Sequence, residues 1–162
     1  MNKLLAVLLH VCVCAAYGQT AEVAKFDELQ KVLSSTNDTT YVVNFWATWC
    51  VPCVKEFPAF QDLAYKHRNE KVKLLMISLD FASEKDKTLI PFLAKHPIEA
   101  KVLLLDEPDY NFWIDKVDKA WGGEIPVTLM INGARGIHSF FDHDFTPQSL
   151  EETFTKTINK QQ

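Results

Sequence analysis

The chain has 162 residues, of which 48% are hydrophobic and 23% are charged. This is the balance of a globular protein, and the length favours one domain that can bury its own core. The formal net charge is −4, and no basic stripe interleaves with aromatic residues, so we expect no nucleic-acid partner.

The first eighteen residues have the layout of a secretory signal peptide. Lys3 supplies a positive start, residues 4–16 form an apolar run, and small residues lead to a cleavage site after Gly18. Roughly thirteen apolar residues are too few to span a bilayer. We therefore expect a signal peptide over 1–18 and a mature domain over 19–162. The mature chain should be periplasmic or secreted, without stable membrane insertion.

The cysteines divide between the signal peptide and the mature domain. Cys12 and Cys14 lie in the apolar run, and Cys50 and Cys53 form a single Cys-x-x-Cys pair. A lipid on Cys12 or Cys14, or an uncleaved anchor, is the alternative to cleavage. A disulfide between near neighbours constrains the unfolded chain only weakly, because the stabilisation grows with loop length. The Cys50–Cys53 pair therefore indicates chemistry more than architecture.

After the signal peptide, helical and strand patterns alternate along the chain. Helices are predicted over 21–35, 54–67, 83–96 (with Ser83 as N-cap) and 147–159, with an irregular helical turn over 108–117. Strands are predicted over 41–46, 72–79, 102–105, 127–131 and 137–141, the last two joined by an Asn-Gly turn. Such alternation predicts an α/β fold: a central, mostly parallel sheet with helices on both faces and an antiparallel edge hairpin.

The Cys-x-x-Cys pair comes directly after a predicted buried strand and at the start of a helix. Unpaired N–H groups and a partial positive charge at the helix N-terminus favour a Cys50 thiolate, which is the nucleophile in disulfide exchange. Cys53, three residues later, lies on the same helical face and can close a disulfide with Cys50. We expect Cys50 to be partly exposed at the helix N-cap, and Cys53, one turn inside the helix, to be largely buried. Pro52 lacks an N–H, which costs nothing in a first turn.

The active-site motif of the thioredoxin superfamily resembles the run Phe45-Trp46-Ala47-Thr48-Trp49-Cys50-Val51-Pro52-Cys53. The longer sequence from Val43 to Pro58 resembles the exported branch of that superfamily, the TlpA/ResA-like thiol–disulfide oxidoreductases. The resemblance covers nearly all of residues 21–160. It implies a thioredoxin-like fold, with Cys50 and Cys53 as the catalytic pair. It further implies a cis-proline loop at Ile125-Pro126 that faces the cysteines. We expect Trp49, which flanks the motif, to offer a surface to partners, and the Ile125 backbone to pair with an extended substrate segment in a β-like manner.

Several polar residues near the motif are further candidates for a role in the redox chemistry. Asn44 stands where cytosolic thioredoxins have a buried Asp, and it cannot titrate; a core amide bonded to the backbone is the alternative interpretation. In ResA-like relatives, a Glu near the start of the helix that corresponds to the one predicted here over 83–96 approaches the cysteines. Counting back from Pro91 without gaps places Glu84 at that position. A helix-dipole charge explains Glu84 equally well, and Asp80 is the other candidate. Lys55 and Glu56 are expected on a solvated face.

The predicted function is thiol–disulfide exchange with partner proteins, with reductase activity outside the cytoplasm. The resemblance implies a protein disulfide as substrate and an upstream membrane or periplasmic thiol reductant, with no cofactor and no metal. Four alternatives stay open: a redox-inactive binding module that uses the same surface, a thiol peroxidase, a structural disulfide, and a zinc site of the two cysteines with His138 and His143.

Overall fold

The computed structural model describes residues 20–159, so the signal-peptide prediction and residue 19 lie outside the described part of the chain. The strands β1–β6 are Ala21–Ala24, Thr40–Trp46, Val72–Ser78, Lys101–Leu105, Val127–Asn132 and Ile137–Phe141. The helices α1–α5 are Phe26–Leu33, Val51–His67, Leu89–Lys95, Tyr110–Val117 and Pro147–Asn159.

The six strands form one mixed sheet in the order β1-β4-β3-β2-β5-β6. The strands β1 to β4 run parallel, and β5 and β6 add antiparallel strands at the β2 side. One hydrophobic cluster joins the sheet to α2, α3 and α5, and a second joins its other face to α1 and α4. The predicted mixed sheet with helices on both faces is confirmed.

The helix predicted over 21–35 is wrong in its first part. Residues Ala21–Ala24 form an edge strand, and α1 begins only at Phe26. Apolar side chains three or four residues apart predicted one continuous helix. However, Val23 is half exposed, and the backbone of this segment pairs with β4 from Val102 to Leu105. Tertiary pairing with β4 therefore overrides the local helical pattern.

The predicted helix over 83–96 is also wrong in its first half. A short 3-10 turn covers Ala82–Glu84, and α3 begins only at Leu89. Pro91 has no N–H to donate to the carbonyl of Lys87, so a continuous helix would lose a bond there. Pro91 is tolerated because it lies in the first turn of α3, where N–H groups have no intrahelical partner. The irregular turn predicted over 108–117 is instead the regular helix α4.

The carboxyl ends of β2 and β3 and the start of β5 meet at one edge of the sheet. In the antiparallel β2–β5 pair, Phe45 lies opposite Val127, and in the parallel β2–β3 pair Trp46 lies opposite Ser78. The segments that follow β2 and β3, and the segment that precedes β5, therefore come together beyond this edge. The Cys-x-x-Cys motif lies in the first of them.

Candidate redox site

The two cysteines lie where β2 passes into α2. Cys50 is the N-cap of α2, and its sulfur accepts a hydrogen bond from the backbone N–H of Cys53 at 3.3 Å. The two sulfurs are joined in a disulfide, with the Cα atoms 5.3 Å apart. The free N–H groups of the first turn and the partial positive charge of the helix N-terminus would stabilise a thiolate on Cys50 after reduction.

Cys50 is more exposed than Cys53, as predicted, but both residues are buried. Cys53 is 1% exposed and faces the sheet, as expected one turn inside the helix. Cys50 is 6% exposed, so the expectation that Cys50 is partly exposed is wrong for the disulfide form. The remaining exposure of Cys50 is nevertheless the larger, and its neighbour Trp49 is 61% exposed.

The predicted cis-proline loop lies against Cys50. The Ile125–Pro126 peptide bond is cis, and the carbonyl oxygen of Ile125 lies 3.8 Å from the Cys50 sulfur. The antiparallel pairing of β5 with β2 explains this position, because Pro126 directly precedes the first residue of β5. Cys50, Ile125 and Pro126 are therefore brought together, with the exposed Trp49 beside Cys50.

Of the two acidic candidates, Asp80 reaches the redox loop. Its buried carboxylate accepts hydrogen bonds from the backbone N–H and the hydroxyl of Thr48, two residues before Cys50. It also accepts from the hydroxyl of Ser78, at the end of β3. Glu84 is partly exposed in the 3-10 turn, and its carboxylate contacts Lys87 at 3.2 Å. Asp80 thus ties the loop to the sheet edge, whereas the contacts of Glu84 are local.

Glu56 is the functional candidate that the sequence interpretation missed. It was expected on a solvated face, yet it is 2% exposed. Its Oε1 accepts from the Asn44 side-chain amide at 2.9 Å, and its Oε2 accepts from the backbone N–H of Phe145 at 2.9 Å. Cys53 and Glu56 are three residues apart in α2, so they share the buried face of the helix.

Burial changes the acidity of this carboxyl. Removal from water disfavours the charged form and raises the pKa of Glu56 to about 7. The hydrogen bonds from Phe145 and Asn44 oppose this rise, and the negative charge of Asp144 adds to it. A carboxyl with a pKa near neutrality can both accept and release a proton at physiological pH.

The sequence does contain a signal for Glu56. The buried positions of α2 include Cys53, Phe57, Phe60 and Leu63, which recur every three or four residues, and Glu56 belongs to the same stripe. A glutamate in an apolar stripe that starts at a redox cysteine is out of place on a solvated face.

Residues 20–159 contain no group of three or more histidine, cysteine, aspartate or glutamate side chains that could hold a metal ion. His138, one ligand of the zinc alternative, contacts Asp118 at 2.9 Å. No helix of this same range is both long and apolar enough to cross a membrane.

The mixed sheet, the disulfide at the N-terminus of α2 and the facing cis-proline define a thioredoxin-like protein with a redox-type Cys-x-x-Cys centre. The AhpC/TSA family model matches residues 18–138. The chain belongs to the AhpC/TSA family.

Individual relatives agree with this assignment. The thiol-disulfide oxidoreductase ResA of Bacillus thuringiensis subsp. konkukian is 25% identical over 185 aligned positions, which cover 96% of this chain and 96% of that protein. ResA of Oceanobacillus iheyensis is 39% identical over 54 residues, which cover 33% of this chain but only 28% of that relative. The predicted resemblance to ResA-like proteins is confirmed.

Solved structures support the fold. A secreted Mycobacterium tuberculosis disulfide oxidoreductase, homologous to E. coli DsbE, superposes with a TM-score of 0.56. The two chains are 18% identical, and the match covers 75% of this chain and 84% of that one. The thioredoxin-like fold predicted from the sequence is confirmed.

Proposed function

We propose that this protein exchanges disulfides with partner proteins through Cys50 and Cys53, and that it acts as a reductase outside the cytoplasm. The observation that carries the proposal is the position of Cys50. Its sulfur caps α2, accepts a hydrogen bond from the Cys53 N–H, and faces the carbonyl of Ile125 across the proline loop. A sulfur held in this way is stabilised as a thiolate and has a backbone edge beside it for a substrate.

The reaction proceeds in two exchanges. In the reduced protein, the Cys50 thiolate attacks one sulfur of the substrate disulfide, and the other substrate sulfur leaves as a thiolate and takes up a proton. Cys53 then loses its proton and attacks the Cys50 sulfur of the mixed disulfide. The second substrate sulfur leaves and is protonated, so the substrate gains two electrons and two protons while Cys50 and Cys53 form a disulfide. An upstream thiol reductant returns the pair to the dithiol.

Cys53 is buried and needs a proton acceptor before it can attack. Glu56 is the acceptor in this proposal, because residues three apart on a helix have Cβ atoms only about 5–6 Å apart. With a pKa of about 7, the Glu56 carboxylate takes the Cys53 proton at neutral pH and later releases it. Asp80 serves a different purpose, since it holds the loop before Cys50 through Thr48.

The substrate segment lies across Trp49, Ile125 and Pro126. Trp49 is largely exposed beside Cys50, and an extended segment can pair with the backbone of Ile125 in a β-like manner. The proposed location outside the cytoplasm rests on the signal-peptide pattern of residues 1–18 and on the secreted M. tuberculosis relative.

Two measurements test this proposal. Reduction of insulin disulfides in the presence of dithiothreitol should be accelerated by the wild-type protein and not by Cys50→Ser. A protein that accelerates nothing would instead favour the redox-inactive binding module. The direction of exchange follows from the reduction potential of the Cys50–Cys53 pair. A value near about −270 mV would fit a thioredoxin-like reductant, whereas a value near about −120 mV would identify an oxidant.

A further inference from the structure

The side chain of Asn44 is buried beneath the redox pair with only half of its amide satisfied. Its Nδ2 faces three acceptors: Oε1 of Glu56 at 2.9 Å, Oγ1 of Thr128 at 3.2 Å and the carbonyl of Val127 at 3.4 Å. Its Oδ1 has no hydrogen-bond partner among residues 20–159. Asn44 is 1% exposed, so the unpaired oxygen is an energetic burden in this arrangement.

The arrangement favours the ionised form of Glu56, since both carboxyl oxygens face hydrogen-bond donors. The Phe145 N–H donates to Oε2 of Glu56, so Oε2 acts as an acceptor and a proton added to the carboxyl belongs on Oε1. Oε1 faces the Nδ2 hydrogens of Asn44, and two donors cannot share one hydrogen bond. The proton on Glu56 therefore needs an acceptor that the present orientation of Asn44 does not provide.

A half-turn of the amide provides this acceptor. Rotation about the terminal torsion of Asn44 exchanges Oδ1 and Nδ2, which have nearly the same shape. Oδ1 then accepts a hydrogen bond from the protonated Oε1 of Glu56. The Thr128 hydroxyl, which accepted from Nδ2 before the turn, can donate to Oδ1 after it, because a hydroxyl both donates and accepts.

We propose that Asn44 is a positioning residue whose amide turns with the protonation of Glu56, donating to the carboxylate in one orientation and accepting from the carboxylic acid in the other. Thr128 pairs with the amide in both orientations, as acceptor in one and as donor in the other, whereas the carbonyl of Val127 pairs only with Nδ2. This inference rests on the proposed function, in which Glu56 takes up and releases the Cys53 proton in each cycle. An aspartate at position 44 would carry a second charge, and an aliphatic residue would serve neither state of Glu56.

The charged and titratable groups around Glu56 are few. Asp144 is the charge that acts on it from the segment before α5. Cys53 shares its face of α2, and Asn44 and Thr128, from β2 and β5, carry no charge. Protonation of Glu56 is therefore the change to which Asn44 responds.

The experiment is NMR of the oxidised protein between pH 5 and pH 8, with ¹³C in the glutamate carboxyls and ¹⁵N in the asparagine amides. We expect the Glu56 carboxyl and the Asn44 amide protons to titrate with one midpoint. NOEs from the Asn44 amide protons to the Thr128 side chain should weaken by at least about twofold below that midpoint, because the amide nitrogen turns away.

Asn132 is the matched control in the same chain. It is also buried, but its Oδ1 accepts from the backbone N–H of Arg135 and its Nδ2 donates to Thr40. Both ends of this amide are fixed, so its NOEs should not change with pH.

Asn44 NOEs that are the same at pH 5 and pH 8, or a Glu56 carboxyl that does not titrate in this range, would overturn the proposal. This measurement needs no catalytic activity, so its failure is distinct from a failure in insulin reduction. In single-turnover release of a mixed disulfide at pH 7, Asn44→Leu should slow the Cys53 step by about tenfold, the effect of one lost hydrogen bond to a charged group. An unchanged pH profile of that step in Asn44→Leu would equally contradict the proposal.

Discussion

Replacement of Glu56 by Gln should remove a pH dependence from the folding stability of the oxidised protein. In the native protein the pKa of Glu56 is about 7, whereas the ordinary value is 4.5. The folded state therefore binds the proton more tightly than the unfolded state, and stability falls as pH rises from about 4.5 to about 7. The full difference corresponds to about 3 kcal/mol, and about 2–3 kcal/mol of it lies between pH 5 and pH 8.

A Gln side chain can take the place of the protonated carboxyl. Its oxygen can accept from the Phe145 N–H, and its Nε2 can donate to Oδ1 of Asn44 in the turned orientation, as the protonated Oε1 does. Glu56→Gln should therefore be about as stable as the wild type at pH 5, and about 2–3 kcal/mol more stable at pH 8.

Urea unfolding of the oxidised protein, followed by tryptophan fluorescence at pH 5, 6, 7 and 8, measures this difference. Glu84→Gln is the control, because Glu84 is partly exposed and contacts Lys87; its difference from the wild type should stay constant across the series. A difference in unfolding free energy between Glu56→Gln and the wild type that is the same at pH 5 and pH 8 would show that Glu56 does not have a raised pKa in the folded protein.

Three further predictions concern the loop, the substrate surface and the chain start. Asp80→Ala should destabilise the protein by about 2–4 kcal/mol in urea unfolding, because it leaves the partly buried N–H and hydroxyl of Thr48 without their acceptor; a change below about 0.5 kcal/mol would contradict the anchoring role. Trp49→Ala should slow insulin reduction with a higher KM but leave the unfolding midpoint unchanged, because Trp49 is mostly exposed; an unchanged KM would remove Trp49 from the substrate surface. The intact mass of exported protein should correspond to a chain that starts at Gln19, and a mass that retains Met1 or includes a lipid would exclude cleavage after Gly18.

Most of the fold was predictable because strand and helix patterns alternate and the redox motif lies at a strand-to-helix junction. The errors arose where tertiary contacts override local patterns. Val23 continues the helical spacing of α1, yet the backbone around it pairs with β4. Ser83 resembles a helix N-cap, but Pro91 delays the helix to Leu89.

The sequence predicted that Cys50, Cys53 and Pro126 lie close together, but it did not predict that Glu56 is buried. A local motif was enough to identify Cys50 and Cys53, which are close together in the chain. Pro126 was identified by its resemblance to the cis-proline loop of the thioredoxin superfamily. Glu56 could not be distinguished from a surface glutamate by residue type. Its burial depends on Asn44 in β2 and on the N–H of Phe145, 89 residues further along the chain, and no local pattern encodes these partners.

In the proposed reaction, Cys50 attacks the substrate and Cys53 resolves the mixed disulfide. The most direct measurement compares Cys50→Ser and Cys53→Ser, incubated in reduced form with a protein disulfide substrate and separated on a non-reducing gel. Cys53→Ser should accumulate a mixed disulfide through Cys50, because the sulfur at the helix N-cap is intact and the resolving thiol is absent. Cys50→Ser should trap nothing, because Cys53 is buried. A mixed disulfide that accumulates with Cys50→Ser instead would contradict the assignment of the nucleophile.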